Sequence, residues 1–195
     1  MLSELIIVVG LMGIVIMMGS VGWARYKRAT GLSVTAQTFK RVITQARLRA
    51  IYQNVNHFVV FDVVTGSLSV VEDSGATAGV YEADDAVISC SLLEQGVELG
   101  MPVASLPHPL GSGAITDAWS LPKPVGGSAW GTGLGLMANP QGRLVSVDAT
   151  PDVIGFGAVV FNDPRQAAAA VSVGIEGRSG TARAYRLDGS VWSEI

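Results

Sequence analysis

Cysteine and charge are both scarce in this sequence. Cys90 is the single cysteine among 195 residues, which excludes an intrachain disulfide and most cysteine-based metal sites. Charged residues make up only 15% of the chain and hydrophobic residues 49%. This balance excludes a disordered protein, because disordered chains are polar and highly charged. The length fits one ordinary domain with an appendage.

The few charges are unevenly distributed. Residues 1–61 hold one acid, Glu4, and seven bases, whereas residues 62–195 hold the other 15 acids and 6 bases, a net charge of −9. The net charge of the whole chain is only −3, which excludes a strongly basic nucleic-acid-binding protein. Opposite charges on the two parts favour contacts between stacked copies instead. The seven bases are Arg25, Lys27, Arg28, Lys40, Arg41, Arg47 and Arg49.

A long apolar run follows Glu4. Residues 5–24 are twenty consecutive uncharged, mostly aliphatic residues, and as a helix they span the roughly 30 Å hydrocarbon core of a bilayer. A cleaved secretory signal is the alternative, but its apolar part would be about 7–15 residues long and would follow a basic start. Here an acid precedes the run and the bases at 25–28 follow it, so we predict a membrane span.

Four glycines interrupt the apolar run, and each costs up to about 1 kcal/mol relative to alanine in a helix interior. Gly10 and Gly13 are small enough to let helix backbones approach closely, which offsets the cost, so we predict that they serve assembly. Gly19 and Gly22 form a local weak point. We predict a kink there, with a continuous helix as the alternative.

The pattern beyond residue 24 is that of an amphipathic helix, because apolar residues recur at steps of four and three and form one stripe. Asn54 is a natural stop. We therefore predict one N-terminal helix over residues 1–54, with a transmembrane or filament-core part at 1–24 and an amphipathic part at 25–54. At roughly 80 Å it is too long for one head to cover. The stripe consists of Leu32, Ala36, Phe39, Ile43, Ala46 and Ala50.

Glu4 needs a cationic partner, since a carboxylate beside an apolar run is expensive to bury in a membrane. The run offers no base before Arg25, which lies about 30 Å further along a helix. The remaining cation is the α-amino group of Met1, either in the same chain or in a neighbouring copy, and the neighbouring copy points to staggered self-assembly. A position of Glu4 in the lipid headgroup region is the alternative.

Several of these features are typical of one family. The sequence resembles type IV pilin-like proteins, and among them most closely the H-class minor pseudopilins of type II secretion and the FimT-like pilins. The resemblance is strong over residues 1–61 and weak, mainly in strand order, beyond them. It is carried by Leu2-Ser3-Glu4-Leu5 with the aliphatic run and Gly13, by Gln45-Ala46-Arg47-Leu48-Arg49-Ala50 with the strand pattern at 57–62, and by Gly177-Arg178.

The resemblance implies a structural subunit of a type IV pilus-like or type II secretion pseudopilus filament. It implies that a prepilin peptidase cleaves after a glycine, that the new N-terminus is methylated, and that Glu4 pairs with the amine of the adjacent subunit. It also implies a single-pass pool in the bacterial inner membrane and an assembly platform. Identical subunits then form a periplasmic or extracellular filament with their helices in the core.

The sequence departs from the family pattern near its start. Glu4 and Gly13 lie one position early, so we expect one residue, commonly Phe, to precede Met1 in the mature chain. The proline usual near the kink is absent, and Val21 stands in its place. The lack of a leader peptide fits a mature chain.

Apolar and polar residues alternate over residues 55–195 as they do in short strands. This pattern predicts a β-rich head, so the predicted fold class is α+β. We predict two-residue loops at 65–66 and 188–189. Residues 100–133, rich in proline and glycine, predict an irregular loop with a surface-exposed, subunit-specific face. An antiparallel sheet or small sandwich should pack on the helix stripe. Its predicted strands are residues 57–64, 67–72, 86–93, 133–138, 143–147, 153–161, 168–175, 182–187 and 190–193.

The sequence offers little for catalysis. His57 and His108 are its two histidines, and His108 stands between two prolines, as a loop residue does. No phosphate-binding glycine motif and no zinc-ligand spacing occurs. Acidic clusters at 72–73 and 82–85 have the oxygen ligands that Ca²⁺ prefers, but we interpret them as a solvated acidic rim. We predict a protein that is not an enzyme and uses no cofactor or metal.

Nucleic-acid binding is the main alternative function, that of a DNA-binding minor pilin in a competence-type pilus. Arg178, Arg183 and Arg186 are suited to phosphate contacts, and some FimT-like pilins are implicated in DNA uptake through a Gly-Arg-x-Arg element. Residues 177–180 read Gly-Arg-Ser-Gly and lack the second arginine, and a head of net charge −9 repels DNA at long range. A generic single-span anchored protein, monomeric in detergent, is a third hypothesis.

Overall fold

A computed structural model provides the fold of the chain. It describes residues 2–111, 113–124, 130, 133–147, 152–165 and 169–195, without the side chains of residues 2–7, 14–15, 18–19, 21–22, 24–25 and 28–29. The helix is α1 (Leu2–Gln53). The strands are β1 (His57–Asp62), β2 (Ser67–Glu72), β3 (Ala86–Leu92), β4 (Glu98–Leu99), β5 (Leu106–Pro107), β6 (Ala114–Ile115), β7 (Gly133–Ala138), β8 (Leu144–Val145), β9 (Phe156–Asn162), β10 (Ala170–Glu176), β11 (Thr181–Asp188) and β12 (Val191–Glu194).

Helix α1 is continuous over its 52 residues and ends where the sequence predicts a stop. Asn54, directly after it, has a φ of 59°, the left-handed conformation that terminates many helices and that asparagine tolerates better than most side chains. All six residues of the predicted apolar stripe are buried, none more than 4% exposed. The predicted packing of the head on this stripe is therefore confirmed.

The long strands form two antiparallel sheets. The first sheet has the order β3-β2-β1-β7-β8, and the second has the order β12-β11-β10-β9-β4. Every strand pair in them is antiparallel, which confirms the α+β class and the antiparallel pairing.

The helix and the two sheets share one hydrophobic core, and Phe39 lies at its centre. The Phe39 ring contacts Phe61 of the first sheet at 6.4 Å and Phe161 of the second sheet at 5.5 Å between centroids. Phe61 and Phe161 also meet edge to face at 6.1 Å. Such tilted and edge-on arrangements suit the charge distribution of aromatic rings. One helix face thus packs against both sheets.

The expectation of an irregular, exposed loop over residues 100–133 is only partly right. Its described residues include β5 and β6, and Trp119 is buried against Phe39 at 6.3 Å between ring centroids. Ser120 donates its backbone N–H to Ala158 O at 3.0 Å, so this segment extends the edge of β9. Its apolar residues need burial despite the surrounding prolines, which is why the segment covers the second sheet.

The hairpin between β1 and β2 has a longer loop than the predicted 65–66. Asp62 pairs with Ser67 across the ladder, so the loop contains four residues. The Asp62 carboxylate accepts hydrogen bonds from Val64 N at 2.9 Å and from Thr65 Oγ1 at 2.7 Å. These bonds satisfy the loop locally and end the strand early. At the other predicted hairpin, β11 and β12 enclose residues 189–190, one position later than expected.

Candidate assembly surface

The N-terminal half of α1 presents apolar side chains that the rest of the chain does not cover. Every side chain described before Gly31 is exposed. At 1.5 Å per residue, the helix from residue 2 to Gly31 projects roughly 44 Å beyond the head. Its large apolar side chains are between 51 and 72% exposed, and so lie open on more than one face of the helix; they include Val8, Val9, Leu11, Met12, Ile16, Met17 and Trp23.

Two glycines predicted to serve assembly lie on this projecting segment. Apart from the neighbouring backbone of the helix itself, a Cβ placed on Gly10 or on Gly13 would meet no described atom within 4 Å. Nothing within the described chain therefore requires glycine at these positions, although each weakens the helix. A close approach of another helix at these glycines stays a prediction.

The other predicted assembly residues are incompletely described. Met1 lies outside the described residues, and Glu4 lies within α1 with its side chain outside the description. The helix also passes without interruption through Gly19 and Gly22, where a bend of its axis stays a prediction. Among the residues whose side chains are described, no helix combines the length and hydropathy needed to cross a membrane.

An aromatic pair marks the end of the projecting segment, and sequence reasoning missed it. Trp23 and Tyr26 stand three positions apart on α1, with ring centroids 6.1 Å apart, and both are 64% exposed. Residues at this spacing are neighbours on a helix surface, so the spacing itself was an available signal. The pair adds a polarisable, amphipathic patch just before the helix enters the head.

Close backbone contacts hold the C-terminal end of α1 against the head. Arg47 donates Nε to Gly142 O at 2.9 Å, and a Cβ on Gly180 would lie 2.1 Å from the same oxygen. A Cβ on Gly177 would lie 2.2 Å from Ile154 O and 2.6 Å from Leu144 O. Gly177, in the pair that resembles the family, thus has a structural reason, because a side chain does not fit this close to two backbone carbonyls.

The three arginines considered for DNA binding do not form one patch. Arg183 and Arg186 are three residues apart on β11, so their side chains point to opposite faces of the strand. Arg186 bonds to Ser33 of α1, and Arg183 lies 3.6 Å from Glu194. Arg178 lies in the turn before β11 and lines a groove with Arg143 and Asp152.

Two acidic residues of the segment between β2 and β3, Asp73 and Asp85, accept hydrogen bonds that order this segment, so the interpretation as a solvated rim is wrong for them. Asp85 is buried and accepts hydrogen bonds from Ser74 N, Gly75 N and Glu82 N at 2.7–2.9 Å. Asp73 accepts from Asn56 Nδ2 at 2.8 Å. No group of three or more metal-ligating side chains occurs in the described part of the chain.

Neither histidine is placed as a general base. His57 is buried at the start of β1, with Nδ1 3.1 Å from Val55 O. His108 accepts a hydrogen bond from Leu110 N at its Nδ1, at 3.1 Å, and burial lowers the pKa of its ring. Accepting through Nδ1 requires the uncharged ring, which agrees with the lowered pKa. Both rings therefore help to order the head.

Comparisons with known proteins give structural neighbours only. No family model matches the chain, and no curated protein matches it. A crystal structure of the minor pseudopilin EpsH from the type II secretion system of Vibrio cholerae is similar, with 16% identity, a TM-score of 0.44, and coverage of 80% of this chain and 93% of that one. A second EpsH structure has 13% identity, a TM-score of 0.43, and coverage of 85% and 95%.

Proposed function

We propose that this chain is a structural subunit of a type IV pilus-like or type II secretion pseudopilus filament. The single observation that carries the proposal is the projecting half of α1, whose described side chains are all exposed although most are apolar. An isolated helix with this surface is unfavourable in water, because uncovered apolar area costs about 25 cal/mol per Å². The helix therefore requires surroundings that are apolar on every side.

Lipid and copies of the same helix both meet that requirement, and the proposal uses them in succession. Before assembly, residues 5–24 hold the subunit in the inner membrane. During assembly the helix leaves the lipid and packs among identical helices, with Gly10 and Gly13 at the close contacts. The β-rich head remains outside and forms the filament surface. A prepilin peptidase and an assembly platform belong to this proposal through the family resemblance.

Glu4 sets the axial displacement between neighbouring helices in the proposed packing. In an apolar bundle a carboxylate is stable only beside a cation, and the proposal pairs Glu4 with the terminal amine of the neighbouring subunit. Each incoming subunit is then positioned by one charge pair, while burial of the apolar surface supplies most of the binding free energy.

Replacement of Glu4 tests this proposal. We expect Glu4→Ala to abolish or strongly slow filament formation while membrane insertion is retained, as measured by electron microscopy of sheared filaments and by membrane fractionation. Asp84→Ala is the matched control, because Asp84 is an exposed head carboxylate with no bonding partner among the described residues. Normal filaments from Glu4→Ala would remove the proposed role of Glu4. A wild-type chain that stays monomeric would remove the filament proposal.

The DNA-binding alternative has less support. The opposed directions of Arg183 and Arg186 leave Arg178 and Arg143 as the arginines that share a groove, and Asp152 lines the same groove. We expect the full chain in detergent to show no more than salt-sensitive, weak binding of duplex DNA in fluorescence anisotropy. Tight binding that Arg178→Ala removes would favour the alternative.

A further inference from the structure

The outer face of the C-terminal half of α1 contains a basic groove. The groove has a volume of about 410 Å³ and is lined by Lys40, Arg41 and Arg49, with the exposed side chain of Leu48 between them. No acidic residue contributes to its lining. We call these three bases and Leu48 the basic groove.

The bases of this groove are not used by the fold. Arg47 lies among them in sequence, but it points to the head and donates to Gly142 O. By contrast, Lys40, Arg41 and Arg49 make no ion pair and no side-chain hydrogen bond with any residue that the structure describes. Arg41 lies on the exposed face of the helix, and Lys40 and Arg49 flank that face on its two sides. Since none of these cations is compensated by a described residue, a partner that neutralises them is favourable.

Two exposed carboxylates that form no direct ion pair with a described residue lie at the end of the head where α1 emerges. Glu94 packs beside Gly31, where an added Cβ would lie 3.5 Å from the Glu94 Cβ, and Glu98 lies four residues further on, in β4. Both are exposed. Lys27 and Arg165 line the cavity beside Glu94. Arg165 binds Asp163 at 2.8 Å, and its attraction to Glu98 is the weaker interaction. We call Glu94 and Glu98 the acidic end.

The basic groove and the acidic end cannot meet within one chain. The bases lie 9 to 18 residues beyond Gly31, which places them roughly 14 to 27 Å further along the helix axis. Two copies bring these surfaces together only if one is displaced along the axis relative to the other. Such a contact joins two different surfaces, so it leaves each copy free to bind the next and propagates as an open filament.

We propose that the basic groove of one copy docks the acidic end of a second copy, displaced along α1. This inference rests on the proposed function and adds to it a contact between heads and helices outside the apolar bundle. Each exposed charge pair is weak and screened by salt, but the pairs are repeated at every subunit. The contact therefore sets the spacing of subunits and makes the last part of assembly sensitive to salt.

Charge exchange in the full chain tests the contact. We expect Lys40→Glu with Arg41→Glu to lower filament yield at least about tenfold, since attraction becomes repulsion. Adding Glu94→Lys and Glu98→Lys to that variant should restore most of the yield. The control is Lys123→Glu with Arg178→Glu, which makes the same change of charge at two exposed residues elsewhere on the head. A reversal that assembles like the control, or a reversal that the exchange does not rescue, overturns the inference.

Disulfide trapping separates this inference from the filament proposal. In a Cys90→Ser background, oxidation of a mixture of Arg41→Cys and Glu94→Cys chains in membranes should give a linked dimer, and a mixture of Lys123→Cys and Glu94→Cys chains should not. Filaments without this dimer overturn the docking contact and leave the proposed function intact. The dimer without any filaments supports the contact and overturns the proposed function.

Discussion

The two halves of α1 are both rich in apolar residues, but they differ in how these residues are arranged. Beyond Gly31 most apolar residues form one stripe, and that stripe is buried by both sheets of the same chain. Before Gly31 the apolar residues lie on several faces, and every described side chain is exposed. One helix therefore has one half that is satisfied by its own head and another half that is not.

This difference shows that the arrangement of apolar residues indicates where a partner lies. A stripe requires a partner on one side, and a folded head supplies one. An apolar surface on all sides requires apolar surroundings on all sides, which a single head cannot supply. Matched variants in the two halves test whether the halves differ in this way.

The largest effect is expected from Phe39→Ala in the buried half. Phe39 contacts Phe61, Phe161 and Trp119, so its removal leaves a cavity where the helix meets both sheets. We expect a loss of about 3–5 kcal/mol in the free energy of unfolding, measured by urea denaturation of the chain in detergent and monitored by near-UV circular dichroism. Met12→Ala in the projecting half should change this quantity by less than about 0.5 kcal/mol. Equal losses would contradict the division of the helix.

A smaller loss of stability is expected from Gly177→Ala. The new Cβ would lie 2.2 Å from Ile154 O and 2.6 Å from Leu144 O, so the backbone must shift. Overpacking of this kind typically costs about 1–3 kcal/mol, which the same denaturation experiment resolves. Gly155→Ala is the matched control, because a Cβ there meets nothing within 4 Å. Unchanged stability of Gly177→Ala would show that the turn has space to move.

Substitution of a glycine in the projecting half should impair assembly and leave the stability of the head unchanged. Because a Cβ on Gly13 meets nothing within the chain, we expect Gly13→Leu to leave the unfolding free energy of the head within about 0.5 kcal/mol of wild type. We expect it to reduce filament yield several-fold, since bulk at this position keeps helices apart. Full assembly of Gly13→Leu would exclude a close helix contact at this glycine.

Much of the fold was predictable because local chemistry decides it. The stripe from Leu32 to Ala50 specifies which helix face the head covers, and Asn54 ends the helix through its own backbone preference. The strands around residues 57–72 and 181–194 follow alternation and turn residues with shifts of one or two positions. These features depend on neighbours in sequence, where propensity and periodicity are informative.

The features that sequence reasoning missed depend on contacts distant along the chain. Trp119 lies in a segment rich in proline and glycine, yet it is buried against Phe39, eighty residues earlier. Asp85 belongs to an acidic cluster, yet three backbone N–H groups surround its carboxylate. Neither burial follows from local composition. By contrast, the exposure of the described side chains between residues 8 and 26 was predictable, because a helix of roughly 80 Å is too long for one head to cover.

The smallest expected effect concerns pH and should be confined to the head. Burial lowers the pKa of His108 below the ordinary value of 6.5, so the unfolded chain binds a proton at this histidine more readily than the folded chain does. His108 therefore contributes stability at neutral pH, and this contribution is lost as the pH falls from about 7 through 6.5 and then through the lower pKa of the folded state. The projecting half contains no histidine and should not respond.

Two measurements check this dependence. The ring protons of His108 should titrate below pH 6.5 in NMR spectra, and the unfolding midpoint should fall between pH 7 and pH 5 by more in wild type than in His108→Asn. Asparagine is a suitable replacement, because its carbonyl oxygen offers an acceptor for Leu110 N without a titrating group. Protonation of Nδ1 removes the acceptor for that N–H, which is the physical reason for the loss. Titration at or above pH 6.5 would mean that the ring between the two prolines is hydrated, and His108 would then contribute nothing to holding the segment that covers the second sheet.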